Sequence, residues 1–380
     1  MKAYFDNAAT TKVYPEVADL VMKLMEEDFG NPSSLHQMGV DAGNYIKEAK
    51  EIIAKELKAE TTEIIFTSGG TESNNMALIG AALANKRAGN KIITSAVEHA
   101  SVSSTLDFLS EMGFDVVCID VDKDGKINLD ELESQVDDNT ILVSVMYVNN
   151  EIGTVEPIEE IASLIKEKNP KTLFHVDAIQ AFGKYRIYPK RIGIDLMSIS
   201  GHKLHGPKGS GSLFIKDKTK IKPVIYGGGQ QQGMRSGTEN VPGYAGLGLA
   251  TKISYERLDE RVARMKAVKD RIITGLSDIE GVHINYGEAP HIVSITFTGV
   301  RSEVMLHALE EKGIYVSSGS ACSSNKHSVS SVLKAIGLPK ESQESTLRFS
   351  FSGENTIEEA DYAVEVIKQI LPIYRRYVRK

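Results

Sequence analysis

Glu63-Ile64-Ile65-Phe66-Thr67-Ser68-Gly69-Gly70-Thr71-Glu72-Ser73-Asn74-Asn75-Met76-Ala77-Leu78 is the stretch that decides the fold. Its first five residues form a short β-branched and aromatic run of the kind that builds a buried strand, and Met76, Ala77 and Leu78 belong to a helical run. The two glycines between them make a tight turn and let another group approach the backbone closely. Strand, glycine turn and helix together form one half of a βαβ unit. Backbone N–H groups at such a helix start can cradle a phosphate, although the same turn also serves packing alone.

The same alternation continues on both sides. In 41–57 the apolar positions Ala42, Tyr45, Ile46, Ala49, Ile53 and Leu57 fall on one helical stripe. Lys91-Ile92-Ile93-Thr94, Ile141-Leu142-Val143-Ser144-Val145 and Thr172-Leu173-Phe174-His175-Val176 read as further buried strands. From about residue 40 to 215 this predicts an α/β fold, a mostly parallel sheet covered by helices, in which ligands bind outside the carboxyl ends of the strands. A long helical run over about 244–276 follows a Gly-rich interruption at 226–243 and is expected to contain the domain change. Strands near 282–285, 291–297 and 346–351 and helices near 303–312 and 357–371 then predict a smaller α+β domain. The expected division is a large domain over 15–255 and a small one over 1–14 and 256–380.

Composition narrows the function classes. The formal charge of −7 leaves no global electrostatic footprint for nucleic acid, so no direct nucleic-acid binding is expected. Apolar runs are too short for a membrane span, and the N-terminal Met1-Lys2-Ala3-Tyr4-Phe5-Asp6-Asn7 has no signal-peptide core, so no membrane association and a cytoplasmic location are expected. With 2 cysteines and no C-x-x-C, neither a disulfide framework nor a Cys-rich zinc site is available. Cys118, in Phe114-Asp115-Val116-Val117-Cys118-Ile119, reads as a small buried hydrophobe in a strand. Cys322, in Ser317-Ser318-Gly319-Ser320-Ala321-Cys322-Ser323-Ser324-Asn325, reads instead as an exposed thiol on a mobile loop, where it could react.

Asp120-Val121-Asp122-Lys123-Asp124-Gly125-Lys126-Ile127-Asn128-Leu129-Asp130-Glu131 fits the calcium-loop pattern of an EF-hand. An EF-hand needs a helix before that loop, and the preceding run reads as a strand. The expectation is an Asp-Gly turn leading into a helix near Asn128, with no metal site.

A site for pyridoxal phosphate needs a lysine for a Schiff base, a carboxylate facing the pyridine nitrogen, phosphate donors and a group stacking on the ring. Asp177 follows an apolar strand, Lys203 lies in Ser200-Gly201-His202-Lys203-Leu204-His205-Gly206-Pro207-Lys208-Gly209, and Gly69-Gly70-Thr71 opens a helix. Local chemistry does not distinguish Lys203 from Lys208.

The motifs Phe5-Asp6-Asn7-Ala8-Ala9-Thr10-Thr11, Gly30-Asn31-Pro32-Ser33-Ser34-Leu35-His36, Thr71-Glu72-Ser73-Asn74-Asn75, Glu98-His99, Asn149-Asn150-Glu151-Ile152-Gly153-Thr154, His175-Val176-Asp177-Ala178-Ile179-Gln180, the Lys203 loop, Arg235-Ser236-Gly237-Thr238-Glu239-Asn240 and Ser318-Gly319-Ser320-Ala321-Cys322-Ser323-Ser324 occur in that order. Together they resemble the NifS/IscS-type cysteine desulfurases of the class V aminotransferase family, over residues 5 to about 350. The resemblance implies fold type I of the pyridoxal-phosphate transferases and a homodimer. It implies that Lys203 carries the cofactor and moves the substrate α-proton, that Asp177 pairs with the pyridinium nitrogen and Gln180 with the ring oxygen, and that His99 stacks on the ring. Gly70, Thr71, Ser200 and His202 would surround the phosphate, with Thr238 supplied by the partner subunit. Asn150 would contact substrate or cofactor, Arg348 the carboxylate of L-cysteine, and Cys322 would take the sulfur as a persulfide. The implied acceptor is an iron–sulfur scaffold or a tRNA-thiolation enzyme, and the alternatives are a selenocysteine lyase or another class V enzyme. Three positions depart from the family pattern: Val329 (often proline), Gln231 (often glutamate) and Gly70 (often alanine).

Overall fold

The computed structural model describes residues 1–285, 287–318 and 330–378. Its strands, in chain order, are β1 Ala3–Tyr4, β2 Ile64–Thr67, β3 Lys91–Ser95, β4 Asp115–Ile119, β5 Thr140–Met146, β6 Leu173–Asp177, β7 Leu196–Ser200, β8 Gly211–Ile215, β9 Val282–Asn285, β10 Ile292–Phe297, β11 Ile314–Tyr315, β12 Ser317–Ser318 and β13 Thr346–Ser350. Seven of them form one sheet in the order β2-β8-β7-β6-β5-β3-β4. β7, β6, β5, β3 and β4 run parallel, and β8 runs antiparallel to both its neighbours. β2 therefore points the same way as β7, and the carboxyl ends of β2, β3, β5, β6 and β7 share one edge.

Burial explains why these segments are strands. Every residue of β5 is buried, as expected of a strand covered on both faces. The helix Gly70–Asn85 after β2 is rich in glycine and alanine and buries Met76, Ala77, Leu78, Ala81 and Ala82. The expected stripe on 41–57 lies in the helix Gln37–Leu57, which buries Ala42, Ala49, Ile53 and Leu57. It ends at Lys58 in the left-handed region (φ 50).

β12-β13-β10-β9 make a second, antiparallel sheet. Its apolar face packs with the helices Leu258–Leu276 and Ile357–Val378 around Ile272, Val293, Ile295, Phe297, Leu347, Phe349 and Ile367. Ala3 and Phe5 belong to this second core, and β1 pairs in parallel with β11. The single helical run expected over 244–276 is two helices, Val241–Glu256 and Leu258–Leu276, separated at Arg257, whose backbone (φ −128, ψ 38) leaves the helix. Among the described residues no helix is long and apolar enough to cross a membrane.

A second expectation is corrected. Cys118 is exposed, not buried. β4 is an edge strand, so its apolar run has a neighbour on one side only, and Asp115 and Cys118 both reach solvent. Partial burial and the carboxylates of Asp120, Glu98 and Glu131 nevertheless push its thiol up, away from the reactive thiolate. The loop after β4 behaves as the turn expected. Asp122 Oδ1 accepts the N–H groups of Asp124 and Lys126, and Asn128 caps the helix Leu129–Gln135 by accepting from the N–H of Glu131.

Candidate active site

The shared carboxyl edge of the parallel strands brings together several of the sequence candidates. β6 ends at Asp177, β7 at Ser200 with Lys203 in the turn beyond it, and β3 leads through Glu98 to His99, the N-cap of the helix Ala100–Glu111. Asp177 pairs in register with Met146 on one side and Ser198 on the other, which places it centrally.

Asp177 is buried, and both carboxylate oxygens are engaged. Oδ1 accepts the N–H of Ile179 at 3.0 Å, and Oδ2 accepts Asn74 Nδ2 at 2.8 Å. Burial pushes its pKa up, while those two donors and the nearby His99 and Lys203 draw it down. A buried carboxylate of this kind is completed by a cation. Asn74 also donates to Ser101 Oγ at 2.8 Å, and Ser101 Oγ lies 2.9 Å from His99 Nδ1. A hydrogen-bonded chain thus joins the ring-stacking candidate to the carboxylate.

Lys203 Nζ donates to the carbonyls of Ala8 (2.5 Å) and Ala9 (2.8 Å), and Gln180 Nε2 donates to Ala8 as well (3.0 Å). The N-terminal segment is strapped to the lysine loop. Thr11 N–H donates to the His202 carbonyl, His205 N–H donates to Thr11 Oγ1, and His202 Nδ1 lies 3.3 Å from Thr10 Oγ1. Burial, helped by Lys203, Lys208 and Lys184, drops His202 to about 4, so it is neutral at neutral pH.

Pyridoxal phosphate fits this crevice on three observations. The helix Gly70–Asn85 offers its N-terminus beside Gly69, and a Cβ on Gly70 would sit 2.2 Å from Cδ1 of Ile179, so the cradle is tight. Ser200 Oγ is buried at that same edge with no hydrogen-bond partner in the protein, a donor left for an anion. Asp177 supplies the carboxylate for a ring cation. Thr71 is exposed on the first turn of the helix, and Thr238 is exposed on the strap between residues 226 and 240.

Arg348, on β13, is 6% exposed. Its Nη1 donates to the Asn150 carbonyl at 2.8 Å and Nη2 to Asp6 Oδ1 at 3.0 Å, while Nε has no partner. Asn150 therefore meets Arg348 through its main chain. Cys322 and Val329, and with them His327, a histidine close to Cys322 in sequence, lie outside the described residues. Of the other two departures, Gln231 has a local reason. It accepts the N–H of Phe66 and donates to both carboxylate oxygens of Glu239, where a glutamate would face a like charge.

Sequence reading missed several groups here. Asn74 stands inside a quoted motif yet gave no sign of touching Asp177. Glu98 is buried. Its Oε1 accepts Ser95 Oγ and the N–H of Met146, its Oε2 has no partner, and burial raises its pKa to about 8. Asp6, the partner of Arg348, lies 342 residues away in the chain.

The aminotransferase class-V family matches residues 3–363. A cysteine desulfurase IscS of Methanosarcina thermophila is 44% identical over 371 residues, covering 97% of this chain and 91% of that one. A solved NifS-like protein superposes with a TM-score of 0.93 at 38% identity, over 98% of this chain and 100% of the other. A structure described as SspA in complex with cysteine superposes with a TM-score of 0.81 at 35% identity, over 92% and 99%.

Proposed function

Since the chain belongs to the aminotransferase class-V family, we propose that it is a pyridoxal-phosphate-dependent cysteine desulfurase that converts L-cysteine to L-alanine and carries the sulfur as a persulfide on Cys322. The observation that carries this reading is the convergence of Lys203, Asp177, His99 and the Gly70 helix start on one sheet edge. Residues 15–255 form the cofactor-binding domain in this reading, and residues 1–14 with 256–380 form the smaller domain.

Lys203 holds the cofactor through its amine and later moves the proton of the substrate α-carbon. Asp177 would keep the ring nitrogen protonated, Gln180 would pair with the ring oxygen, and His99 would stack on the ring. Gly70, Thr71, Ser200 and His202 would hold the phosphate, and Thr238 would be supplied by the partner subunit. Bound pyridoxal phosphate supplies an electron sink for the developing charge at the α-carbon. Arg348 and Asn150 orient the substrate, the guanidinium fork matching its carboxylate. The Cys322 thiolate attacks the substrate sulfur. One C–S bond breaks, one S–S bond forms, a proton goes to the β-carbon, and alanine leaves.

Homodimerisation is supported by Met22, Met25, Phe29, Leu35, Met38 and Val40, large apolar side chains exposed together on the first two helices and their connection. A cytoplasmic location and an iron–sulfur scaffold or tRNA-thiolation enzyme as acceptor complete the reading. The test is release of alanine from L-cysteine by purified protein with pyridoxal phosphate. Turnover of selenocysteine alone would favour a selenocysteine lyase, and no turnover of either would overturn the reading.

A further inference from the structure

Behind Lys203 lies a small cavity whose wall includes Lys184, His205, Arg261, Tyr14 and Thr11. Lys184, Lys203 and Arg261 give this wall its charge, and among the described residues no carboxylate lines it. Lys184 closes the turn that follows Asp177 and Gln180, with its N–H bonded to the carbonyl of Ala181. Its Nζ donates to the main-chain carbonyl of Lys203 at 2.9 Å. One short stretch of chain thus meets Lys203 from two sides, with Asp177 in electrostatic contact with its amine and Lys184 bonded to its backbone.

Lys184 acts on His202, His205 and His291, and Lys203 acts on Asp177, His202 and Lys184, so the two amines lie within electrostatic reach of each other. All three histidines are held below their ordinary range by burial, so they add no charge at neutral pH. Burial, with Lys203 beside it, lowers Lys184 to about 7. Two amines so placed titrate as a pair, and a proton on one disfavours a proton on the other.

We propose that Lys184 is a positioning residue for Lys203: its amine anchors the Lys203 main chain from behind, and its charge opposes a second positive charge on the Lys203 amine. The proposal rests on Lys203 being the cofactor-bearing lysine. A buried amine beside another cation is more readily a nucleophile and base at neutral pH than a solvated one. The anchor at the Lys203 carbonyl also keeps the side chain aimed past Ala8 and Ala9, whose carbonyls it already contacts.

The test titrates the visible absorbance of the lysine-bound cofactor with pH in the holoenzyme. Removing the like charge moves the midpoint up by about one pH unit in Lys184→Met and in Lys184→Gln. Lys184→Arg, which keeps the positive charge at every pH of the titration, leaves the midpoint at or below the wild-type position. Lys184→Gln keeps a donor for the Lys203 carbonyl, so it carries the test if Lys184→Met does not fold. An unshifted midpoint in Lys184→Gln, or an equal shift in Lys184→Arg, overturns the proposal. Borohydride reduction followed by peptide mass measurement separates the two readings. Label on Lys203 upholds the cofactor assignment whatever the midpoints do, and label on another lysine overturns both.

Discussion

Arg348 and Asp6 form an ion pair at 3.0 Å across nearly the whole length of the chain. Asp6 and the Asn150 carbonyl hold the two terminal nitrogens of the guanidinium, and Nε is left without a protein partner. The fork is therefore fixed in plane, which would remove part of the ordering cost of binding a carboxylate there. Arg348→Lys keeps the charge and loses the fork. It is expected to raise KM for L-cysteine by about 10- to 100-fold through the loss of a bidentate contact. Steady-state kinetics decide it, and an unchanged KM would remove Arg348 from the substrate site.

Lys203→Ala is expected to leave a folded protein that no longer holds cofactor covalently and whose alanine release falls by about 10²–10⁴-fold or more. Absorbance spectra and an alanine assay on the same preparation test both parts. Cofactor retained through a borohydride-reducible bond in this variant would move the assignment to another lysine.

Cys322→Ser is expected to bind cofactor and cysteine normally while turnover collapses, because a hydroxyl is a far poorer nucleophile toward sulfur than a thiolate. Mass spectrometry after brief exposure to cysteine should find one added sulfur on the peptide of Cys322 and none on that of Cys118. Cys118 is exposed, but its thiol is pushed up by partial burial and acidic neighbours, so access alone does not make it a competitor. Since it sits on an edge strand, Cys118→Ser should change stability by only about 0.5 kcal/mol. Sulfur found on Cys118 would refute the assigned nucleophile.

Glu98 provides a pH test on the cofactor-free protein. Its folded pKa is raised by burial to about 8, above the unfolded value. The stability this protonated group contributes is fully present below the unfolded pKa and is lost as pH rises to about 8. Glu98→Gln stays neutral throughout, and its amide replaces the unpartnered Oε2. Denaturant unfolding should show variant and wild type alike near the unfolded carboxyl pKa, with the variant more stable by a few kcal/mol, roughly, above pH 8. Equal stability at both ends would show that Glu98 ionises freely.

The apolar surface on the first two helices predicts the oligomeric state. The wild type should scatter light as a dimer, and Met25→Glu with Phe29→Glu should give a monomer with weakened cofactor retention, because Thr238 would lose its route to the partner's phosphate. A wild-type monomer with full cofactor occupancy would contradict this. So would a double variant that stays dimeric.

What the sequence determined by itself was whatever repeats locally. The period of 41–57, the β-branched runs ending at Thr67 and Asp177, and the glycine turn at 69–70 each carry their structure in neighbouring residues, because side-chain direction follows directly from helix or strand geometry. The same runs place the site at the strand ends, where Lys203 and Asp177 stand. Strand order was not legible in this way, and it was strand order that put β4 at the edge and exposed Cys118 despite an apolar setting. Pairings between distant segments were equally hidden: Asp6 with Arg348, Asn74 with Asp177, and Glu98 with the N–H of Met146. Even Lys184 and Lys203, 19 residues apart, meet only because β7 returns beside β6 and delivers the second lysine to the turn that holds the first. Burial and charge at these sites are sums over neighbours brought from elsewhere in the chain, so only the tertiary structure decided them.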